Sequence, residues 1–428
     1  MILRLILLAF SALPRLYTLF QMALYDRKRQ EPLPEEVRDV YTPERWEQFL
    51  AYKQDQRVPN LLQMIIGFGL DAFVLLTPFY AWIERLAHAN PYGTVILTAA
   101  VITAIDFLIG LPFAYYRTFT IENRYGLNHK TKQVFFKDEL VELVTGFVLN
   151  TALYCLLQYI LIHLPAWTNN FSISLVQSIG ISAAIVAVIA LFLVIAMFIS
   201  WKVMRIRYKF VPLEEGELKQ EIRKLIKGSR KKVRAIEVYN ESEKSTSKNA
   251  FVLKLPFIRT IGIADNFLNE NSRRELLAVL SHEAGHLKHK PTIWNYITWG
   301  IYGLLFCLLT AVISNGAYFA SLEQSLEQAF GLTGINAVLT VAVISWIGSP
   351  FLYLLSVFRT AVTRMEEYEA DRNAVKEGYG AELIQTFKTL SSDELVDVNP
   401  PEIIEMLEYD HPGMTSRIRA IHKAMETN

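Results

Sequence analysis

Two cysteines in 428 residues are too few for a disulfide-stapled secreted scaffold, and both, Cys155 and Cys307, lie inside apolar runs. They read as packing or lipid-facing residues, not as metal ligands. Neither sign of charge is in surplus: 43 Lys and Arg stand against 42 Asp and Glu, a net +1, which removes the global electrostatic case for nucleic acid. Histidine is scarce too, eight in all, so a pattern that places several in one helix carries weight. What the chain has in quantity is apolar surface: 52% hydrophobic residues and 12% aromatics, with a mean hydropathy of +0.23. That composition is expected of a polytopic membrane protein, mainly α-helical, since only helices and closed barrels satisfy their backbone inside lipid.

Crossing a hydrocarbon core of about 30 Å takes about 20 largely apolar helical residues. Seven stretches qualify: Ile2–Leu24, Leu61–Ile83, Thr94–Tyr116, Leu140–Leu164, Phe171–Phe198, Ile293–Ala320 and Ala337–Phe358. A short turn containing PAWTNN joins the fourth to the fifth as a hairpin. Lys and Arg crowd into alternate connections, DRKRQ after the first span, the segment from Arg117 to Glu139 after the third, and Lys202 to Lys290 after the fifth. By the positive-inside rule the amino terminus is outside and the carboxyl terminus cytoplasmic. A cleaved signal peptide at MILRLILLAFSA would leave DRKRQ on the outer face, so the first span is expected to be retained. The chain is expected to divide into spans one to five (1–200), a polar region (201–292), spans six and seven (293–358) and a polar carboxy-terminal region (359–428).

From Arg273 to His289, apolar residues at Leu276, Leu277, Val279, Leu280, Ala284 and Leu287 recur at helical spacing, with Asn271 and Ser272 ahead of Glu275 as an N-terminal cap. On that helix His282 and His286 are four residues apart, so their imidazoles project from one face and can grip one ion. Glu283 sits about 100° round the helix, within reach of a water on that ion. This is the H-E-x-x-H arrangement of zinc peptidases, in which neutral imidazoles hold Zn²⁺ and the glutamate is the general base. His289 lies two turns along and reads as a surface histidine. A catalytic zinc usually keeps a third protein ligand. The candidates, Glu366, Glu367, Glu369 and Asp371, lie on the helix that continues from the seventh span. Glu367 and Asp371 share a face, so one can ligate while the other fixes a histidine tautomer.

AVLSHEAGHLKHK, TRMEEYEADRNA with its E-x-x-x-D, HPGMTSRIRAI and GLPFAYYRTFTIENRYGLNHKT together resemble the type I CAAX prenyl protease family of integral-membrane zinc metalloproteases. The likeness runs over most of the chain, including FVPLEEGELKQEI and the NAF at Asn249–Phe251. It implies seven helices enclosing a water-filled chamber, with a zincin-like catalytic region on the cytoplasmic side. It also implies His282, His286 and Glu367 as ligands of one Zn²⁺, Glu283 as general base and Asp371 as the carboxylate behind the ligands. Asn249 matches a substrate-positioning residue, and His411 and Arg417 match groups that stabilise the transition state and brace the metal. Leu287 stands where the family often has Trp, and no dilysine signal ends the chain, which puts the substrate rather than the metal chemistry in question.

The oxyanion donor suits His411 with Arg417 behind it, and Tyr368 and Tyr379 are alternatives. Patches VRAIEVYN, AFVLKLPF and RTIGIADNF have strand character, with NESEKSTSK as a flexible turn, and their sheet edge can hold an extended peptide. Asp71, Asp106 and Asn150 lie inside spans and should face an interior or another helix. The basic run Lys227–Arg234 reads as a headgroup-facing surface. The resemblance implies hydrolysis of membrane-associated substrates, in CAAX-type carboxy-terminal processing or in membrane-protein quality control, so the partners expected are a peptide or protein substrate, prenylated or membrane-inserted, and the lipid bilayer, with no nucleic acid. Compact loops favour a bacterial plasma membrane over the endoplasmic reticulum. The competing class is a polytopic transporter or scaffold with a structural or regulatory metal. A regulated intramembrane protease is disfavoured, because the chain has no L-D-G motif and charges flank the H-E-x-x-H helix.

Overall fold

The computed structural model describes residues 1–168, 175–229, 232–255, 258–314 and 316–427, with side chains described outside 164–179 and 306–319. It opens with α1 (Ile2–Lys28) and α2 (Pro43–Leu76). The Thr42 hydroxyl caps α2 by accepting from the Arg45 N–H, and Pro43 fills the first turn, where no donor is needed. The span expected at Leu61–Ile83 is broken: α2 stops at Leu76, Thr77 is extended, and Pro78 precedes the short α3 (Phe79–Leu86). The residue before a proline is pushed out of the helical region, and proline cannot donate to the turn behind it. There follow α4 (Pro91–Tyr116), α5 (Lys132–Thr168) and α6 (Leu175–Arg207). The expected PAWTNN turn runs outside the described residues.

After α6 come β1 (Phe210–Pro212), α7 (Glu217–Leu225), β2 (Ala235–Tyr239), β3 (Ala250–Lys254), β4 (Arg259–Ala264), α8 (Asp265–Glu270) and α9 (Arg273–Lys288). The strands form one sheet in the order β1-β2-β4-β3, in which β2 and β4 are parallel and the outer pairings antiparallel. Strand β3 is therefore an edge. The three expected strand patches are β2, β3 and β4, although Pro256 and Phe257 of the second lie outside the described residues.

The NESEKSTSK segment, expected to be a flexible turn, is instead pinned. Lys244 is 3% exposed and paired with Asp138 of α5 at 2.6 Å, Ser245 bridges Asn128, and the Asn266 amide donates to the Ser247 carbonyl. A buried lysine needs such a partner, and only the folded chain supplies it.

The chain continues through α10 (Ile293–Ser314), α11 (Gly316–Phe330), α12 (Ala337–Lys376), α13 (Gly380–Asp393), α14 (Glu402–Glu408) and α15 (Met414–Glu426). Six helices among the described residues are long and apolar enough to cross a membrane: Ile2–Lys28, Pro43–Leu76, Pro91–Glu122, Lys132–His163, Gly180–Arg207 and Ala337–Lys376. The segment expected as the sixth span is helical as α10 but is not among these six, and it exposes Ile293, Trp294, Tyr296, Trp299 and Leu304. Inside the spans, Asp71 pairs with Arg15 at 2.8 Å across α1 and α2, whereas the side chains of Asp106 and Asn150 are accessible rather than packed away.

Helix α9 is buried between two cores. Leu276, Leu277, Leu280 and Ala284 pack on Ile236, Ile261 and Ile263 of the sheet. On its other side Ala278 joins Ala374, Val375, Leu383, Ile418 and Ile421, together with Phe49 and Tyr52 of α2. The amino-terminal and carboxy-terminal parts of the chain thus share one core around the H-E-x-x-H helix.

Candidate active site

The site begins with how α9 is started. The Ser272 side chain accepts from the Glu275 N–H, and the Glu275 carboxylate accepts from the Ser272 N–H, a reciprocal capping box. The helix then passes α12 at Gly285, where an added Cβ would lie 2.8 Å from the Ala370 Cα and 3.1 Å from the Asn373 Cβ. Only glycine allows this approach. It sets His282 and His286 opposite Glu367.

His286 Nε2 lies 3.1 Å from Glu367 Oε1, and His282 Nε2 lies 3.4 Å from Glu367 Oε2. The three ligand atoms all fall within 4.8 Å of one another. Glu367 is 3% exposed, and its Oε2 is buried with no hydrogen-bond partner. An unsatisfied buried carboxylate oxygen facing two imidazoles fits a divalent cation held at their common centre.

The other three acids of the helix are occupied elsewhere. Glu366 accepts from the Asn295 amide at 2.9 Å, and Glu369 pairs with Arg372. Asp371, 1% exposed, accepts from His282 Nδ1 at 2.8 Å and is gripped by Arg417 through Nε at 2.9 Å and Nη2 at 2.6 Å. With Asp371 an acceptor only, the proton of this bond sits on Nδ1 and Nε2 faces the centre. Burial alone would lower the His282 pKa, but the hydrogen bond to Asp371 and the nearby Glu367 carboxylate outweigh it and push it up to about 9. The carboxylates that favour a proton there favour a metal cation in its place. Burial likewise works against the charge on Arg417, and the attraction of Asp371, with help from Glu367 and Glu283, raises its pKa.

Glu283 is half-buried on α9 beside the ligands. His411 Nε2 lies 3.6 Å from Glu367 Oε2 while its Nδ1 meets Asp410 at 2.9 Å, and its side chain is 58% exposed, free to meet a substrate. Asn249, His411 and Arg417 line one cleft of about 430 Å³. Asn249 is exposed at the entrance to β3, and its carbonyl accepts from the Ala264 N–H. Tyr368 and Tyr379 do not line this cleft. Tyr379 is instead stacked beside Arg274. His289, expected on the surface, is half-buried at the end of α9 and takes no part in the ligand cluster.

Three supporting residues escape sequence reasoning. Phe387 of α13 lies under the Arg417 guanidinium at 4.0 Å. Glu405 accepts from the Gly413 N–H at 2.8 Å, fixing the turn that carries His411. Arg364 donates to the carbonyls of Glu405, Met406 and Tyr409 and holds the end of α14. Of these only Arg364 left a signal, since Arg364, Glu367 and Asp371 follow helical spacing on one face.

Comparison with known proteins agrees over nearly the whole chain. Residues 21–200 match the model described as CAAX prenyl protease N-terminal, five membrane helices, and residues 212–425 match Peptidase family M48. The probable CAAX prenyl protease 1 of Schizosaccharomyces pombe is 25% identical over 422 residues, covering 93% of this chain and 85% of that protein. CAAX prenyl protease 1 of Saccharomyces cerevisiae is 27% identical over 335 residues, covering 76% and 71%. The crystal structure of S. mikatae Ste24p superposes with a TM-score of 0.76 at 23% identity over 98% of this chain and 99% of that one, a likeness of fold. With one family model covering the membrane half and the other the half that carries the histidine–glutamate cluster, this protein belongs to peptidase family M48, as an integral-membrane metalloendopeptidase.

Proposed function

We propose that this protein is a zinc-dependent endopeptidase that cleaves membrane-associated substrates of the CAAX type near their carboxyl termini. The observation that carries the metal is the convergence of His282, His286 and Glu367, with Glu367 Oε2 buried and unpartnered. Two imidazoles and one carboxylate form a donor set suited to catalytic zinc, which leaves a position for water. When bound, the ion supplies an acidified water and a Lewis acid for the peptide carbonyl.

The chain's own residues do the rest. His282, held by Asp371 in the Nδ1–H tautomer, presents Nε2 to the ion, and Arg417 keeps Asp371 in place. Glu283 takes the proton from the attacking water and returns it to the departing amine. His411, exposed in the cleft and 3.6 Å from a ligand oxygen, donates to the developing oxyanion. Asn249 positions the peptide where β3 leaves a free sheet edge, so that an extended substrate can add to the sheet.

The CAAX reading is supported by the names of the relatives. A seven-span arrangement around a chamber, with 1–200 and 293–358 as the membrane parts and 201–292 and 359–428 as the catalytic parts, is supported by the positive-inside pattern and the helical α10. The same pattern supports a cytoplasmic catalytic side, and the compact loops support a bacterial plasma membrane.

The test is to purify the protein and its Glu283→Gln variant, measure metal content, and offer a prenylated CAAX peptide and a non-prenylated hydrophobic peptide. One zinc per chain in both proteins, with cleavage of the prenylated peptide by the wild type alone, is expected. Undiminished cleavage by Glu283→Gln overturns the role of Glu283. Preference for the non-prenylated peptide overturns the CAAX reading in favour of general membrane-protein turnover.

A further inference from the structure

A second cavity, about 750 Å³, lies between the end of α1 and the first half of α2. Its walls carry three cations, Arg29, Lys53 and Arg57, against one acid, Asp26. Two of the cations are neutralised: Arg57 pairs with Asp26 at 2.6 Å and Arg29 with Asp397 at 2.9 Å. The third is not. The Lys53 ammonium lies 5.5 Å and 5.2 Å from the ring centres of Phe49 and Tyr52, and no carboxylate among the described residues lies within ion-pair distance. An ammonium held over aromatic faces inside a cavity is a ready partner for an anionic ligand group.

The cavity backs onto the catalytic cleft. Tyr25 and Arg29 line the cavity, Tyr409 and Asp397 line the cleft, and they meet through the 2.9 Å bond between the Tyr25 and Tyr409 hydroxyls and the Arg29–Asp397 pair. One layer of side chains therefore separates the space that holds His411 and Asn249 from the space that holds Lys53. Of these two links the hydroxyl pair is a single neutral hydrogen bond, which a peptide amide can replace as it enters, while the Arg29–Asp397 pair stays in place beside it.

We infer that the cavity receives the carboxy-terminal end of the peptide substrate, with the Lys53 ammonium binding its terminal carboxylate. This rests on the proteolytic reading above and adds to it the group that defines which end of a peptide is accepted. The lining favours a peptide over a lipid. Gln30, Gln54, Gln56 and Asn60 offer amides that can donate to and accept from a backbone, polar groups that an acyl chain would leave unsatisfied.

The test compares a prenylated CAAX peptide as its free acid and as its carboxy-terminal amide, in detergent without anionic lipid. The wild type is expected to prefer the acid by about tenfold or more in kcat/KM, chiefly through KM, as for a charge-assisted hydrogen bond. Lys53→Gln is expected to slow the acid to the rate of the amide while leaving the amide unchanged, and Lys53→Arg to keep the preference. Equal cleavage of acid and amide by the wild type, or a preference that survives Lys53→Gln, overturns this inference and leaves the protease intact. Cleavage of neither peptide by the wild type overturns the proteolytic reading and this one together. A Lys53→Gln protein that fails to fold is recognised by lost cleavage of the amide. In that case loss of the acid preference in a folded Lys53→Arg also counts against the inference.

Discussion

Asp371 is the residue on which the site's charge converges. It accepts from His282 and from two nitrogens of Arg417 while 1% exposed, so its removal strands a buried guanidinium and frees an imidazole ligand to rotate. Asp371→Asn is expected to weaken metal binding about 10- to 100-fold, read by competition with a chelator of known affinity. Arg417→Lys should not preserve wild-type activity, because an ammonium cannot make the paired contacts to Asp371 or lie flat on Phe387. At this scale the sequence was most informative where spacing and chemistry coincide. His282, Glu283 and His286 were legible as a unit from one helix turn. Glu367 was only one of four acids on its helix, because helical periodicity gives a face but not what the face meets. Asn295, Arg372 and Arg417 decided among the four; Arg372 is one turn from Glu369 on the same helix, but Asn295 and Arg417 lie far away in sequence on other elements.

At the scale of elements, the site depends on the spacing between α9 and α12. Gly285→Ala places a methyl group 2.8 Å from the Ala370 Cα, a backbone atom that cannot swing aside, so the helices must separate and carry His282 and His286 away from Glu367. The expected result is loss of about 1–3 kcal/mol of stability together with weakened metal binding, read by thermal unfolding in detergent and by metal content. Gly110→Ala in α4, where nothing lies within 4 Å of the new methyl, is the control and should unfold as the wild type does or slightly later. Ser272→Ala removes the capping box and should cost about 0.5–2 kcal/mol. Existence and type of the long helices were readable from apolar periodicity. Their breaks were less so: the stop at Thr77–Pro78 divides what hydropathy alone presents as one continuous span.

At the scale of the whole molecule, the residues proposed to hold the metal come from α9 and α12, which α10 and α11 separate in the chain, and the core on one side of α9 draws on α2 as well. A bound ion should therefore stabilise the fold. Adding zinc to chelated protein is expected to raise the unfolding temperature in proportion to the logarithm of zinc concentration, and His286→Ala should flatten that response. The Lys244–Asp138 pair performs a similar joining role between α5 and the loop that leads to Asn249. Lys244→Ala leaves a buried carboxylate with only Arg207 at 3.5 Å and should cost about 3–5 kcal/mol, read by denaturant unfolding, whereas replacing both partners by apolar residues should recover much of it.

The sequence by itself determined the class of molecule and the metal pattern, because hydropathy, charge asymmetry and helix spacing are local properties that survive without tertiary information. Helix spacing by itself left open which acid completes the site, which only the family resemblance singled out as Glu367, and nothing in the sequence showed that the NESEKSTSK loop is pinned. Both follow from contacts between residues more than 80 positions apart, Glu367 with His282 and His286, and Lys244 with Asp138. The close approach at Gly285 and the Lys53 cavity behind the cleft are likewise properties of packed helices. They exist only once α9 lies against α12, and once α1 and α2 reach the carboxy-terminal region through Tyr409 and Asp397.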